Sequence, residues 1–175
     1  MKALKFLLDG SVGPFSGFAW TGGEHGEPGP WVEAEGDVTC KRGVHACAPA
    51  DLPYWLQDEL WEVELRGPVV RGRHKLVAPS GRLLRRVEAW DAAARAAFAD
   101  ACLARAGELV RRQPEADGYL ADLERFQPHV GPAAIASLAA RAAEAVEGRA
   151  GYEAERAAQA DWLAGRLGLE RGVAA

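Results

Sequence analysis

Reactive side chains in this chain gather in one short run. Cys40-Lys41-Arg42-Gly43-Val44-His45-Ala46-Cys47 holds two of the three cysteines and one of the four histidines. Asp51-Leu52-Pro53-Tyr54-Trp55 follows almost at once. A thiolate is a nucleophile, and an imidazole takes up or gives back a proton near neutral pH. On an extended strand His45 and Cys47 point to one face, and Val44 and Ala46 to the other. That parity suits a base beside a nucleophile, so His45 and Cys47 are the candidate catalytic residues. It suits equally well two walls of one pocket. Tyr54 and Trp55, on a short helix just downstream, offer ring surfaces to stack on a base, a nicotinamide or a sugar. The same residues also fit plain packing, with a buried thiol and a hydrogen-bonded core histidine.

A metal is the weaker use of the cluster. Cys40, His45 and Cys47 are three soft ligands, whereas structural zinc takes four and usually shows paired cysteines at closer spacing. Lys41 and Arg42 oppose a cation, and only His25 or His74 is left to complete a shell.

Charge adds a second candidate. Between Leu65 and Val87 there are seven Arg or Lys residues and no Asp or Glu. Arg71, Arg73 and Lys75 recur with period two, so on one strand face they would hold a phosphate or another small anion. Alternatively, segments 60–66 and 69–77 form a hairpin, and Glu62 and Glu64 face these cations as cross-strand pairs. Arg82, Arg85 and Arg86 are then left as a basic surface. The chain carries a net charge of −4, and few aromatics interleave with the cations, so no specific nucleic-acid partner is expected.

The loop Thr21 to Pro30 has neither the dinucleotide glycine spacing nor a Gly-Lys-Ser/Thr step. It reads as a connection or a lid. No Gly-x-Ser-x-Gly and no His-Glu-x-x-His occurs.

Two stretches of different grammar must position these residues. Residues 1–90 hold most of the Trp and Pro, with short apolar runs between turn residues, which is strand patterning. Strands are predicted near 3–8, 15–20, 31–34, 43–47, 60–66, 69–77 and 82–89, with a short helix over 51–56. In Leu60-Trp61-Glu62-Val63-Glu64-Leu65, Trp61, Val63 and Leu65 alternate with acids, so one face is buried and the other acidic. Residues 91–175 are Ala-rich with helical spacing. Asp91 is the expected N-cap of a helix to about 112, and further helices are predicted near 115–126, 132–147 and 150–168. Their Ala-rich stripes suit close helix packing, including a homodimer through this half. The fold class is α+β: a mostly antiparallel, β-rich N-terminal domain (1–90) with a short helix, packed against a helical region (91–175).

An odd cysteine count fits a reducing compartment. The first apolar run is ended by Asp9, too short for a signal-peptide core. No stretch nears the roughly 18 apolar residues of a membrane span. A cytoplasmic protein with no membrane association is the expectation.

Gly43 to Cys47, with Cys40 before it, Asp51 to Trp55 after it and the strand Leu60 to Leu65, resembles a family of uncharacterised bacterial and phage domains. Its members share a Gly-apolar-His-x-Cys signature, a short helix and a Glu-Val-Glu-like strand. The resemblance covers about residues 1–90 and implies no activity. The same region is faintly similar to ADP-ribosyltransferases, in which a Gly-apolar-His or Gly-apolar-Tyr step precedes a short helix with an aromatic and a Val-rich strand. His45 would match that step and Tyr54 the helix aromatic. Those enzymes present a catalytic Glu on a later strand, whereas residues 66–86 hold no acid and Glu88 ends the sheet region.

Three functions follow as expectations. The first is a pocket of His45, Cys47, Tyr54 and Trp55 that binds a small, nucleotide-like anion guided by Arg71, Arg73 and Lys75. The others are NAD- or nucleotide-linked group transfer and a non-catalytic protein-interaction module. Whether the chain is an enzyme stays open, and no cofactor is assigned.

Overall fold

The computed structural model describes residues 1–23, 27–35, 42–112, 118, 121–122, 125 and 130–169. The chain forms two compact units. One is Met1–Trp90, joined by Leu167 and the residues just after it; the other is Asp91–Arg166.

Among its described residues the first unit has seven strands. They are β1 (Lys2–Leu7), β2 (Val32–Glu33), β3 (Val44–Ala46), β4 (Glu59–Arg66), β5 (Val70–Arg71), β6 (Leu76–Ala78) and β7 (Ser80–Arg86), with a 3-10 helix over Pro49–Tyr54 between β3 and β4. All pairings are antiparallel, in the orders β1-β4-β7-β2 and β3-β6-β5. Leu4 and Cys47 exchange two backbone hydrogen bonds, which ties β1 to the end of β3.

Strand parity explains the core. Ala3 and Leu7 of β1, Val63 and Leu65 of β4, Leu83 of β7, Val44 and Ala46 of β3, and Leu76 and Ala78 of β6 form one buried cluster. Gly81 belongs there because a Cβ on it would lie 2.7 Å from Val44 Cγ1 and 3.2 Å from the Glu64 carbonyl oxygen. Any side chain would overpack that contact. Trp61 is only partly buried against this cluster, so the fully apolar face expected of β4 is incomplete. Glu59, at the parity of Trp61 and Val63, is 3% exposed.

Three predicted elements differ. Segment 15–20 is not a strand: Gly17 donates back to the Gly13 carbonyl and Gly13 to that of Phe18, so the chain turns at Pro14, Phe15 and Ser16. The segment 69–77 is two short strands. Gly72 N–H donates to the Lys75 carbonyl at 2.8 Å, which reverses the chain between them. The hairpin of 60–66 with 69–77 is also absent, because β4 lies between β1 and β7.

The second unit contains α1 (Ala92–Val110) and α2 (Pro132–Leu167). Asp91 caps α1, its Oδ1 accepting from Ala94 N–H at 2.7 Å. The two helices predicted over 132–147 and 150–168 run as one element interrupted at Gly148, where φ is +67°. Glycine alone takes that conformation without steric penalty. On α2, Ile135 is buried and Leu138 is exposed. The helix predicted near 115–126 lies largely outside the described residues. Among the described residues no helix is long and apolar enough to cross a membrane.

Candidate functional site

An open cleft of about 930 Å³ lies in the first unit, lined by β1, the loop Gly13 to Trp20, β2 with Ala34 and Glu35 after it, Arg42, β3 and Trp55, so that the carboxylates of Glu33 and Glu35 belong to its wall as well. His45, Cys47 and Trp55, singled out from the sequence, all line it. Three further features give it its character: Lys5, the rings of Phe15 and Phe18, and Trp20.

Lys5 sits at the parity of Ala3 and Leu7, so its side chain leaves β1 on the core-facing side. Its Nζ donates to the His45 carbonyl at 2.7 Å and rests 4.9 Å from the centre of the Trp20 ring. Burial strips water from the ammonium and lowers its pKa to about 8, while the neighbouring Cys47 acts weakly the other way. Among the described residues no carboxylate pairs with it.

The loop over the cleft is anchored at its base. Glu59 accepts from Ser11 Oγ at 2.8 Å, from Trp61 Nε1 at 2.9 Å and from Gly10 N–H at 3.2 Å, with Arg86 at 3.5 Å. Burial opposes its charge, but these donors and Arg86 outweigh it and hold the carboxyl below the usual range. Beyond that anchor, Phe15 is 82% exposed and Phe18 44%. Phe15 meets Trp55 edge to face at 6.1 Å, and Phe18 meets Trp20 in the same way at 5.4 Å.

His45 and Cys47 keep the parity read from the sequence, since Val44 and Ala46 enter the core cluster and they do not. Burial, then Lys75 and Lys5, push the imidazole below its ordinary pKa, so His45 is neutral at pH 7. Its Nε2 is buried and has no hydrogen-bond partner among the described residues. Cys47 is 2% exposed. Burial, and next the charge of Asp51, raise its thiol far above the usual range, with Lys5 opposing. A thiol held protonated is a wall of the cleft rather than a nucleophile.

Tyr54 turns elsewhere. Its ring stacks on His74, with centroids 3.7 Å apart and planes at 12°. His74 Nδ1 lies 3.2 Å from Asp51 Oδ1, and Trp55 Nε1 donates to the His74 carbonyl. The 3-10 helix is thereby fastened to the turn between β5 and β6. Arg71, Arg73 and Lys75 do not share a strand face, because the turn at Gly72 separates them, and none of the three lines the cleft. Lys75 still lies close enough to His45 to depress its pKa.

The acids of β4 pair with β7 instead. Arg82 Nη2 is 2.7 Å from Glu64 and Arg85 Nε is 2.9 Å from Glu62. The basic surface expected of Arg82, Arg85 and Arg86 is therefore largely neutralised by Glu64, Glu62 and Glu59. Cys40, of the alternative metal set, lies outside the described residues. Among the described residues no three His, Cys, Asp or Glu side chains are grouped to hold a metal ion.

Lys5 and the aromatic loop escaped the sequence reading. Parity alone marks Lys5, a cation at the alternate position between Ala3 and Leu7.

Comparison with protein-family models, curated proteins and solved structures gives no match.

Proposed function

We propose that the first unit binds a small anion carrying a planar ring, of the nucleotide class, in the cleft of Lys5, His45 and the aromatic loop. The observation that carries this reading is the Lys5 ammonium, set in a cleft with one backbone acceptor and no carboxylate partner among the described residues. A desolvated cation gains most from an anionic partner. Phe15 and Phe18, exposed at the rim, are hydrophobic ring surfaces that a solvated loop would not otherwise favour. Neutral His45 has a buried Nε2 to offer as a hydrogen-bonding atom, and Cys47 completes the wall.

The test is calorimetric titration of the full chain with uridine monophosphate near neutral pH. Lys5→Met removes the charge and keeps the chain length. A lost charged hydrogen bond weakens binding roughly tenfold or more. Equal affinity for Lys5→Met and the parent would overturn the reading.

A further inference from the structure

The outer side of β1 is paired twice and open once. Leu4 N–H donates to the Cys47 carbonyl at 3.0 Å, and Cys47 N–H donates back at 2.7 Å. Further along, Leu8 and Val12 exchange hydrogen bonds of 2.8 and 3.3 Å. Phe6 lies between. In an antiparallel strand alternate residues turn their N–H and C=O to the same side, so Phe6 points its backbone pair outward with those of Leu4 and Leu8. The inner side confirms the parity: Met1 and Leu65 are hydrogen-bonded to each other. Leu60, the register partner of Phe6, gives its carbonyl to Val87 N–H on the far side.

Phe6 N–H and C=O thus have no hydrogen-bond partner among the described residues, and Phe6 lines the cleft. Its ring packs edge to face on Trp90 at 5.7 Å, and the residue is 4% exposed. Backbone groups this deep are almost always paired.

The slot is narrow. Same-side residues on a strand are roughly 6.6 Å apart, and both neighbouring positions are already filled, by Cys47 and by Val12. A passing peptide strand would need those positions and is excluded, whereas a single planar group needs only the position between Phe6 and His45, which the Leu4–Cys47 register sets opposite it. The group must offer one donor and one acceptor side by side.

We propose that the Phe6 backbone is the recognition edge for an amide-type face of the ring ligand, with a donor N–H going to the Phe6 carbonyl and an adjacent C=O accepting from the Phe6 N–H. A nucleobase lactam and a ring-borne carboxamide share this chemistry. The inference rests on the reading of the cleft as a small-molecule site.

The test uses the full chain labelled with nitrogen-15 and four probes: uridine monophosphate, its N3-methyl derivative, benzamide and N,N-dimethylbenzamide. Binding of an unmethylated probe shifts the Phe6 amide resonance and slows its exchange with solvent. Methylation, which removes the donor, weakens that probe roughly tenfold. Discrimination within the uridine pair assigns the slot to a nucleobase, and discrimination within the benzamide pair assigns it to a carboxamide. If the Trp20 indole resonance moves but methylation changes nothing and the Phe6 amide is still, the slot is wrong and the cleft reading survives. If no cleft resonance moves with any probe, both fall.

Discussion

The Lys5 ammonium meets the His45 backbone carbonyl at 2.7 Å, and so crosses from β1 to β3 just where the strand edge between them opens. Its charge is poorly solvated there. The folded chain releases this proton near pH 8, against 10.5 for an ordinary lysine. Between those values the unfolded chain binds more protons than the folded one, so stability rises with pH across that window. The full rise is about 3 kcal/mol. Lys5→Met has no such group. Denaturant titrations of both proteins at about pH 7.5 and about pH 10 should show the parent gaining on the variant. A constant difference would mean that the ammonium is as well hydrated as on a surface.

Cys47 and Cys102 are both buried, and burial raises both thiols, Cys102 to about 12. Neither should react with iodoacetamide in the native protein at about pH 8, and both should react in denaturant. Peptide mass mapping reads each site separately. Rapid native alkylation of Cys47 would restore it as a nucleophile.

The second unit encloses a polar cluster. Arg105 donates Nε and Nη2 to the two oxygens of Glu155, each at 2.9 Å, and Gln159 Nε2 reaches Glu155 at 2.8 Å and the Ala136 carbonyl at 2.9 Å. Arg105→Met would leave the carboxylate of Glu155, 5% exposed, without its cation. Breaking a buried pair costs about 3–5 kcal/mol; the 29% exposure of Arg105 lowers the expectation to about 2 kcal/mol. Arg105→Met combined with Glu155→Gln should recover part of it. Thermal denaturation of the single and double variants decides, and a double variant no more stable than Arg105→Met would show that the ion pair is not the source.

What the sequence discloses here is mostly local. The acidic face of β4, the N-cap at Asp91 and the parity of His45 and Cys47 follow from period and residue type, and each appears in the structure. Pairing partners do not follow in that way. Nearness in sequence offers Glu62 and Glu64 the cations just downstream, Arg71 to Lys75, as one alternative, whereas β7 brings Arg85 and Arg82 to them from further along. A hairpin assumption fails whenever the next strand in sequence belongs to another sheet. Gly72 carried the hint, since a glycine amid period-two cations breaks a strand as readily as it joins one. Lys5 is legible by parity and hidden by its company: a lysine flanked by Leu4 and Phe6 looks like the polar member of an alternation, although Ala3 and Leu7 place it inside. Nearness in sequence to Trp55 points Tyr54 to the cleft as well, and a helix turn is enough to aim adjacent rings at different neighbours.

The bond between the amino group of Met1 and the Leu65 carbonyl, 2.7 Å long, closes a span of 64 residues. Every contact of β1 with β4 closes a comparable loop, and β7 must arrive later still to complete the sheet. Long loops are slow to close. On a ribosome, the first strand of this unit waits through most of the unit's synthesis for its partner, with Leu4, Phe6 and Leu7 uncovered meanwhile. Each helix downstream can form from its own near neighbours, although α1 and α2 meet through residues as far apart as Arg105 and Glu155. The strand made first within this unit is thus among the last of it to be secured, and its apolar residues are in need of shelter while the unit folds.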